Sequence, residues 1–277
     1  MKTLSMHQHV NYDLGKGIMA FTTDRTIGRE PDKVKAFVMQ QVQEAGMGDG
    51  FLPSGTLRFA RPHQTHGDRI LPVAEEFFML SETTRQMLMD GVDAVMTDIP
   101  GAILGVSTAD CIPVLVHDPV HHAAAAIHAG WRGTLQRIVQ KTMEAMTRQY
   151  GTVPAQCRAA IGPGISLDSF EVGDEVYAAF AEAAFPMDGV ARRYPIMDTV
   201  GTHHGASATK RPNGQKWHID LKEINRRQLL TTGLAEENII VSDIDTFTDL
   251  SFFSARREQH GTQKCGRNFS AFVLGRQ

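Results

Sequence analysis

Three short stretches of the chain gather its reactive side chains. His63-Gln64-Thr65-His66-Gly67 follows one apolar run, Thr108-Ala109-Asp110-Cys111 ends a second, and His128-Ala129-Gly130-Trp131-Arg132-Gly133 ends a third. A cysteine and a histidine at strand ends can work as nucleophile and base. Cys111 and His128 can equally be the thiolate and imidazole ligands of a metal, a donor set that suits zinc. The plain alternative is a small buried core cysteine beside a satisfied histidine, and the spacing is not diagnostic of either. Gly130 and Gly133 permit close backbone approach, and the free N–H groups at the start of a following helix favour an anion. Arg132 there would suit phosphate or carboxylate; a tight turn with Trp131 as core filler is the simpler reading. The pattern is neither a Walker A loop nor a Rossmann fingerprint. His63 and His66, three apart in a loop, read by themselves as solvated. Asp110 can orient a histidine, stabilise a turn, or support a ligand from behind.

The elements that must position these residues can be read from periodicity. GIMAFTT and LRFARP read as strands, and VDAVMTD, AILGVST, IPVLVHD and AAAAIHA as four consecutive buried strands separated by turn signals. A helix is predicted over 32–45, with Val34, Phe37, Val38, Val42 and Ala45 on one face, Pro31 at its start and Gly46 at its stop. Residues 81–89 read as helical. So does the run after the third stretch, with Thr134 as cap and Leu135, Ile138, Val139, Thr142, Met143 and Met146 at helical spacing. CRAAIGPG reads as a strand ending in a turn, GDEVYAAFAEAAF as a helix, WHIDL as an extended segment, LKEINRRQLLTTG as a helix, and NFSAFVLG as the last strand. Residues 198–216 are polar and turn-rich, the best candidate for an excursion or lid. Strands in runs with helices between some of them predict an α+β fold, with residues 1–277 as one domain.

Bulk properties narrow the function classes. The chain has 277 residues, 42% hydrophobic and 21% charged, enough to bury a core without staples. A net charge of −3 gives no basic field, so nucleic acid is not an expected partner. Three cysteines, odd in number and widely spaced, do not form a disulfide framework. The N-terminus shows no apolar leader and no run approaches the roughly 20 residues of a membrane span, so a cytoplasmic location is expected.

Taken in order, QTHG, ADCIPVLVHDP, AAIHAGWRGT, IGPGIS, FEVG and FFSARR…GR resemble the laccase-domain family, also called the multicopper polyphenol oxidase or purine nucleoside phosphorylase family. The motifs span about residues 60–275. The resemblance implies a mixed β-sandwich flanked by helices, and a zinc ion held by His66, Cys111 and His128 with a fourth position open. It implies phosphorolysis of adenosine, inosine and 5′-methylthioadenosine, with adenosine deamination. It also admits copper-dependent phenol oxidation, and an amidase role in editing peptidoglycan precursors. The chain departs from the family pattern at three places. Members often carry an Asn-Arg pair on the first helix whose arginine serves the active site, whereas this helix reads KVKAFVMQQV. Anion binding is then expected from Arg25, Arg132, Arg256 or Arg267. Asp245-Thr246 stands where many members have Cys-Thr, and TIGRE replaces a Gly-Gly-Val-Ser type motif.

Three chemistries compete. In a zinc phosphorylase and deaminase, Cys111, His128 and Asp110 would form the catalytic group, with a nucleoside and phosphate as partners. The chain lacks the His-x-Glu and Cys-x-x-Cys signature of the usual zinc deaminases. In a copper oxidase, two histidines and a cysteine also match the blue-copper ligand set, yet a laccase needs several coppers and many paired histidines. In a cysteine amidase, Cys111 would attack and His128 would act as base.

Overall fold

Runs that are apolar at every position need two buried faces, and the architecture supplies them. The protein was analysed as a computed structural model, which describes residues 9–45, 51–52, 57–195, 215–261 and 266–276. The first half holds β1 (His9–Tyr12), β2 (Ile18–Thr23), α1 (Pro31–Glu44), β3 (Arg58–Ala60), β4 (Arg69–Pro72), α2 (Glu75–Met79) and α3 (Glu82–Met89). The centre holds β5 (Val92–Thr97), β6 (Ala102–Thr108), β7 (Ile112–Asp118), β8 (Ala123–Ala129), α4 (Trp131–Leu135) and α5 (Ile138–Tyr150). Then come β9 (Arg158–Ile161), β10 (Glu171–Val172), α6 (Asp174–Glu182), β11 (Ala191–Pro195), β12 (Gln215–Ile219) and α7 (Leu221–Thr231). The chain closes with β13 (Ile239–Val241), α8 (Ala255–Gln259) and β14 (Asn268–Leu274).

Two large mixed sheets stack. One has the order β1-β2-β14-β6-β3 and the other β13-β9-β7-β8-β5-β4, while β10-β12-β11 forms a small third sheet. Side-chain alternation divides each central strand between two cores. Along β8, Ala124 and Ala126 face the space between the sheets, with Leu104 and Phe272 of the opposite sheet. Ala125 and Ile127 face outward against α5 and α7. On the far side, Phe269, Ala271 and Val273 meet Val34, Phe37 and Val38 of α1. The result is the mixed α+β sandwich with helical flanks expected from the sequence.

The four consecutive buried strands expected from the sequence are present and divide between the sheets: β6 pairs with β14 and β3, while β5, β7 and β8 stay together. Periodicity reports burial on both faces, and an interior strand of either sheet meets that condition. One expectation needs correction: the helix after β8 is not one helix capped by Thr134. Gly130 caps the short α4, the chain turns left-handed at Arg137 (φ 61°), and α5 begins at Ile138. Thr134 lies inside α4, where Asn225 of α7 donates to its hydroxyl at 3.0 Å. The break lets α4 stay at the end of β8 while α5 lies on the sheet. The proposed excursion falls almost wholly outside the described residues; Gln215 and Lys216 begin β12. Among the described residues no helix is long and apolar enough to cross a membrane.

Candidate metal centre and anion cavity

One buried carboxylate organises the reactive stretches. Asp93, on β5, is completely buried. The backbone N–H groups of Thr65, His66 and Gly67 donate to it at 3.2, 3.0 and 2.8 Å. His128 at the end of β8 adds its Nδ1–H at 2.7 Å. A carboxylate accepts only, so this bond fixes the tautomer and leaves Nε2 of His128 as the free lone pair. Burial would raise the Asp93 carboxyl, but the His128 bond and the backbone N–H groups outweigh it and hold it below its usual value. The same N–H bonds keep His66 in the left-handed region, φ 65°, a conformation a non-glycine residue holds only when its surroundings impose it. Gln64 ties the loop to β6: its Nε2 donates to Ser107 O and its Oε1 accepts from Ser107 N, both at 2.8 Å.

Cys111 sits at the turn from β6 to β7, set by Asp110 at φ 81°. The Asp110 carboxylate accepts from Thr246 Oγ1 at 2.7 Å, Ser254 Oγ at 3.0 Å and Arg256 N at 2.7 Å. Asp110 thus holds the cysteine turn against the segment before α8. Asp245, next to Thr246, accepts from both Ser166 and Ser169 hydroxyls. The Asp-Thr pair therefore braces the turn from behind.

His66, Cys111 and His128 meet: their donor atoms all lie within 4.8 Å of one another. The His66 and His128 rings are edge-to-face, with centroids 4.9 Å apart. Burial pushes the Cys111 thiol up, but the charge of His128 and hydrogen bonds from both histidines bring it down to about 6. Burial lowers His128, and Cys111 and Asp93 together raise it to about 9. Gly130 roofs the trio: a Cβ there would stand 3.0 Å from Cys111 Sγ and 3.2 Å from His66 Cδ2.

The trio opens onto a cavity of about 500 Å³. Arg29, Arg61, Arg267 and His63 line it. His63 donates from Nδ1 to Asp90 at 2.7 Å, and its backbone is pinned by bonds to Met89 O and from Gly91 N. Of the arginines named from sequence, only Arg267 reaches this cavity. Arg25 donates to Leu250 O at 3.0 Å, Arg132 stacks on the Trp131 ring at 4.3 Å, and the Arg256 guanidinium donates to Glu171 O at 2.9 Å. Asp110 is likewise not among the lining residues. Sequence reasoning missed Asp93, Arg29, Arg61 and Asp90. Asp93 had a signal, as the one charged residue inside the apolar run VDAVMT. Arg61, immediately after a strand and two residues before His63, had a weaker one.

The profile of the family described as multi-copper polyphenol oxidoreductase laccase matches residues 30–275. The chain belongs to this family. Its relatives include a purine nucleoside phosphorylase of Bacteroides thetaiotaomicron, 43% identical over 197 residues, covering 71% of this chain and 67% of that one. Another is adenosine deaminase RL5 from an unknown prokaryotic organism, 39% identical over 71% of this chain and 68% of its own. Among solved structures, the hypothetical protein YfiH of Bacillus licheniformis superposes with a TM-score of 0.70 at 26% identity, covering 93% of this chain and 92% of that one.

A metal fits the trio by its chemistry. Two imidazoles and a thiolate are zinc donors, and tetrahedral zinc sets its ligands about 3.5 Å apart, within small side-chain adjustments of the observed spacing. The orienting carboxylate behind His128 is the usual companion of a metal-bound histidine. The space above the trio is kept clear by the missing Cβ of Gly130.

Proposed function

We propose that the protein is a zinc-dependent purine nucleoside phosphorylase acting on adenosine, inosine and 5′-methylthioadenosine, with accompanying adenosine deaminase activity. The observation that carries this reading is the joining of a His-Cys-His trio to a cavity lined by three arginines. His66, Cys111 and His128 would hold the metal. It would supply Lewis acidity toward a water or substrate oxygen at its open side. Arg29, Arg61 and Arg267 bind the phosphate co-substrate; planar forks of N–H donors match its oxygens. In phosphorolysis a phosphate oxygen bonds to C1′ as the glycosidic bond breaks and its electron pair leaves on the purine. His63, oriented by Asp90, delivers the proton that neutralises the departing base. Asp93 keeps His128 in one tautomer and the 65–67 loop in place. In deamination, water adds at C6 and ammonia leaves. A cytoplasmic setting suits a site that needs Cys111 reduced.

The test is incubation of purified protein with adenosine and phosphate, followed by analysis for adenine, inosine, hypoxanthine and ribose 1-phosphate. Cys111→Ala and His128→Ala are each expected to lose zinc and nucleoside cleavage while circular dichroism stays unchanged. Retained zinc in both variants would remove the metal assignment.

The lowered Cys111 thiol beside His128 favours a second reading, a cysteine amidase. Activity that survives chelation but not alkylation of Cys111 would establish it. The family's description keeps copper-dependent phenol oxidation as a further alternative. Among the described residues no second group of three metal-binding side chains comes together, which weighs against a multicopper enzyme. Metal analysis of protein purified without added copper decides that point.

A further inference from the structure

A second cavity, of about 240 Å³, lies on the other side of Arg61. Its apolar walls are Phe59 of the β3 strand, Phe77 of α2 and Met89 at the end of α3. Phe77 and Met89 are buried, so these walls are fixed parts of the fold. Two cations border it, Arg61 and Arg85. The Nε of each is buried and has no hydrogen-bond partner among the described residues. That is an unusual state for a guanidinium, which has five donors and no acceptor, and buried donors are nearly always paired. The nearest acid along the helix does not answer Arg85: Glu82 accepts instead from Gln86 Nε2 at 3.2 Å. Apolar walls, two guanidinium groups and the exposed side chain of Glu82 thus border one open cleft, which the terminal nitrogens of the arginines, rather than their buried Nε atoms, can reach.

We propose that this cavity is a binding site for an aromatic anion. The flat body lies against Phe59, Phe77 and Met89, and a phosphate monoester or carboxylate is held between Arg61 and Arg85. Arg61 lines both cavities, so the site adjoins the metal centre without sharing its ligands. The site shares Arg61 with the phosphate site of the phosphorylase reading, whereas Arg85 lines this cavity and not the other, so the Arg85 variants separate the two readings.

The probe is phenyl phosphate, titrated into the full chain carrying ¹³C-methyl methionine and followed at the Met89 methyl resonance. Benzoate tests the carboxylate headgroup, and phenol serves as the neutral comparator. The Met89 signal is expected to shift saturably with phenyl phosphate or benzoate, the tighter of the two naming the headgroup. Phenol should require at least tenfold higher concentration. Arg85→Gln should raise the midpoint tenfold or more, and Arg85→Lys should recover part of the loss. An unmoved Met89 resonance in the wild-type protein overturns the proposal, as does phenol saturating as readily as the anions. An Arg85→Gln midpoint equal to wild type overturns it too. The wild-type titrations decide the matter even if a variant folds poorly, and none of these readouts depends on turnover.

Discussion

At the scale of single residues, the candidate site depends on groups that are not themselves ligands. Asp93 receives four hydrogen bonds that join the 65–67 loop to His128. Asp93→Asn keeps the shape but replaces one acceptor oxygen with a donor, which opposes both the backbone N–H groups and His128 Nδ1–H. Loss of such an orienting group typically lowers metal affinity by about 10–100-fold, and zinc titration against a competing chelator would read it. An unchanged affinity would mean that the loop is held by other contacts. Gly130→Ala acts from the other side. Its Cβ would crowd Cys111 Sγ at 3.0 Å, so reduced zinc content with little change in melting temperature is expected. Asp245 gives a pH prediction. Burial raises its carboxyl, but Ser169, the Phe247 N–H and Ser166 outweigh this and hold it below its usual value. A depressed carboxyl stabilises the fold above its unfolded value and loses that contribution as pH falls through the folded one. Asp245→Asn should therefore cost about 1–3 kcal/mol at neutral pH. The gap to wild type should narrow below pH 4 in denaturant titrations, and a gap that persists to pH 2 would contradict the charge-based account.

At the scale of elements, the close approach of β6 to β14 fixes where Cys111 emerges. Gly105 makes that approach possible: a Cβ there would lie 2.5 Å from both Ala271 Cβ and Ser270 O. Since the second obstacle is backbone, relaxation must move a strand. Gly105→Ala is expected to destabilise by about 1–3 kcal/mol or more and to weaken zinc binding through the shifted β6–β7 turn. Wild-type stability in this variant would show that the two strands can separate freely. The break between α4 and α5 plays a similar positioning role, since Gly133 in α4 sits where a Cβ would meet Gly67 O at 3.1 Å.

For the whole molecule, the trio draws on segments at the ends of both large sheets. His66 follows a strand of the first, Cys111 lies in the turn between the two, and His128 ends a strand of the second. A ligand that binds only the folded state stabilises it by mass action. Zinc at about 100 times its dissociation constant would add roughly 2.7 kcal/mol. Chelation should accordingly lower the melting temperature of wild type and leave Cys111→Ala unaffected. Equal effects on both proteins would separate the metal from this site.

Much of this was legible in the chain, and the reason is local. A strand buried on both faces must be apolar throughout, so β5 to β8 announce themselves, and the amphipathic repeat of α1 and α5 does the same. Periodicity cannot say which sheet a doubly buried strand joins, so the pairing of β6 with β14 was not legible in the sequence. Short elements such as β10, β11 and α8 carry too few residues to show a period. The ordered motifs singled out His66, Cys111 and His128, because ligand chemistry is a property of residue type. Which arginines face those ligands is a property of distance through space. Arg25, Arg132 and Arg256 stand near the motifs in sequence but are turned to carbonyls or an aromatic ring. Arg29 and Arg61, from separate segments, converge on the cavity. The sequence by itself determined the donor set and the layers; only the tertiary structure decided the charge around them, because side chains distant along the chain interact only once the two sheets are stacked.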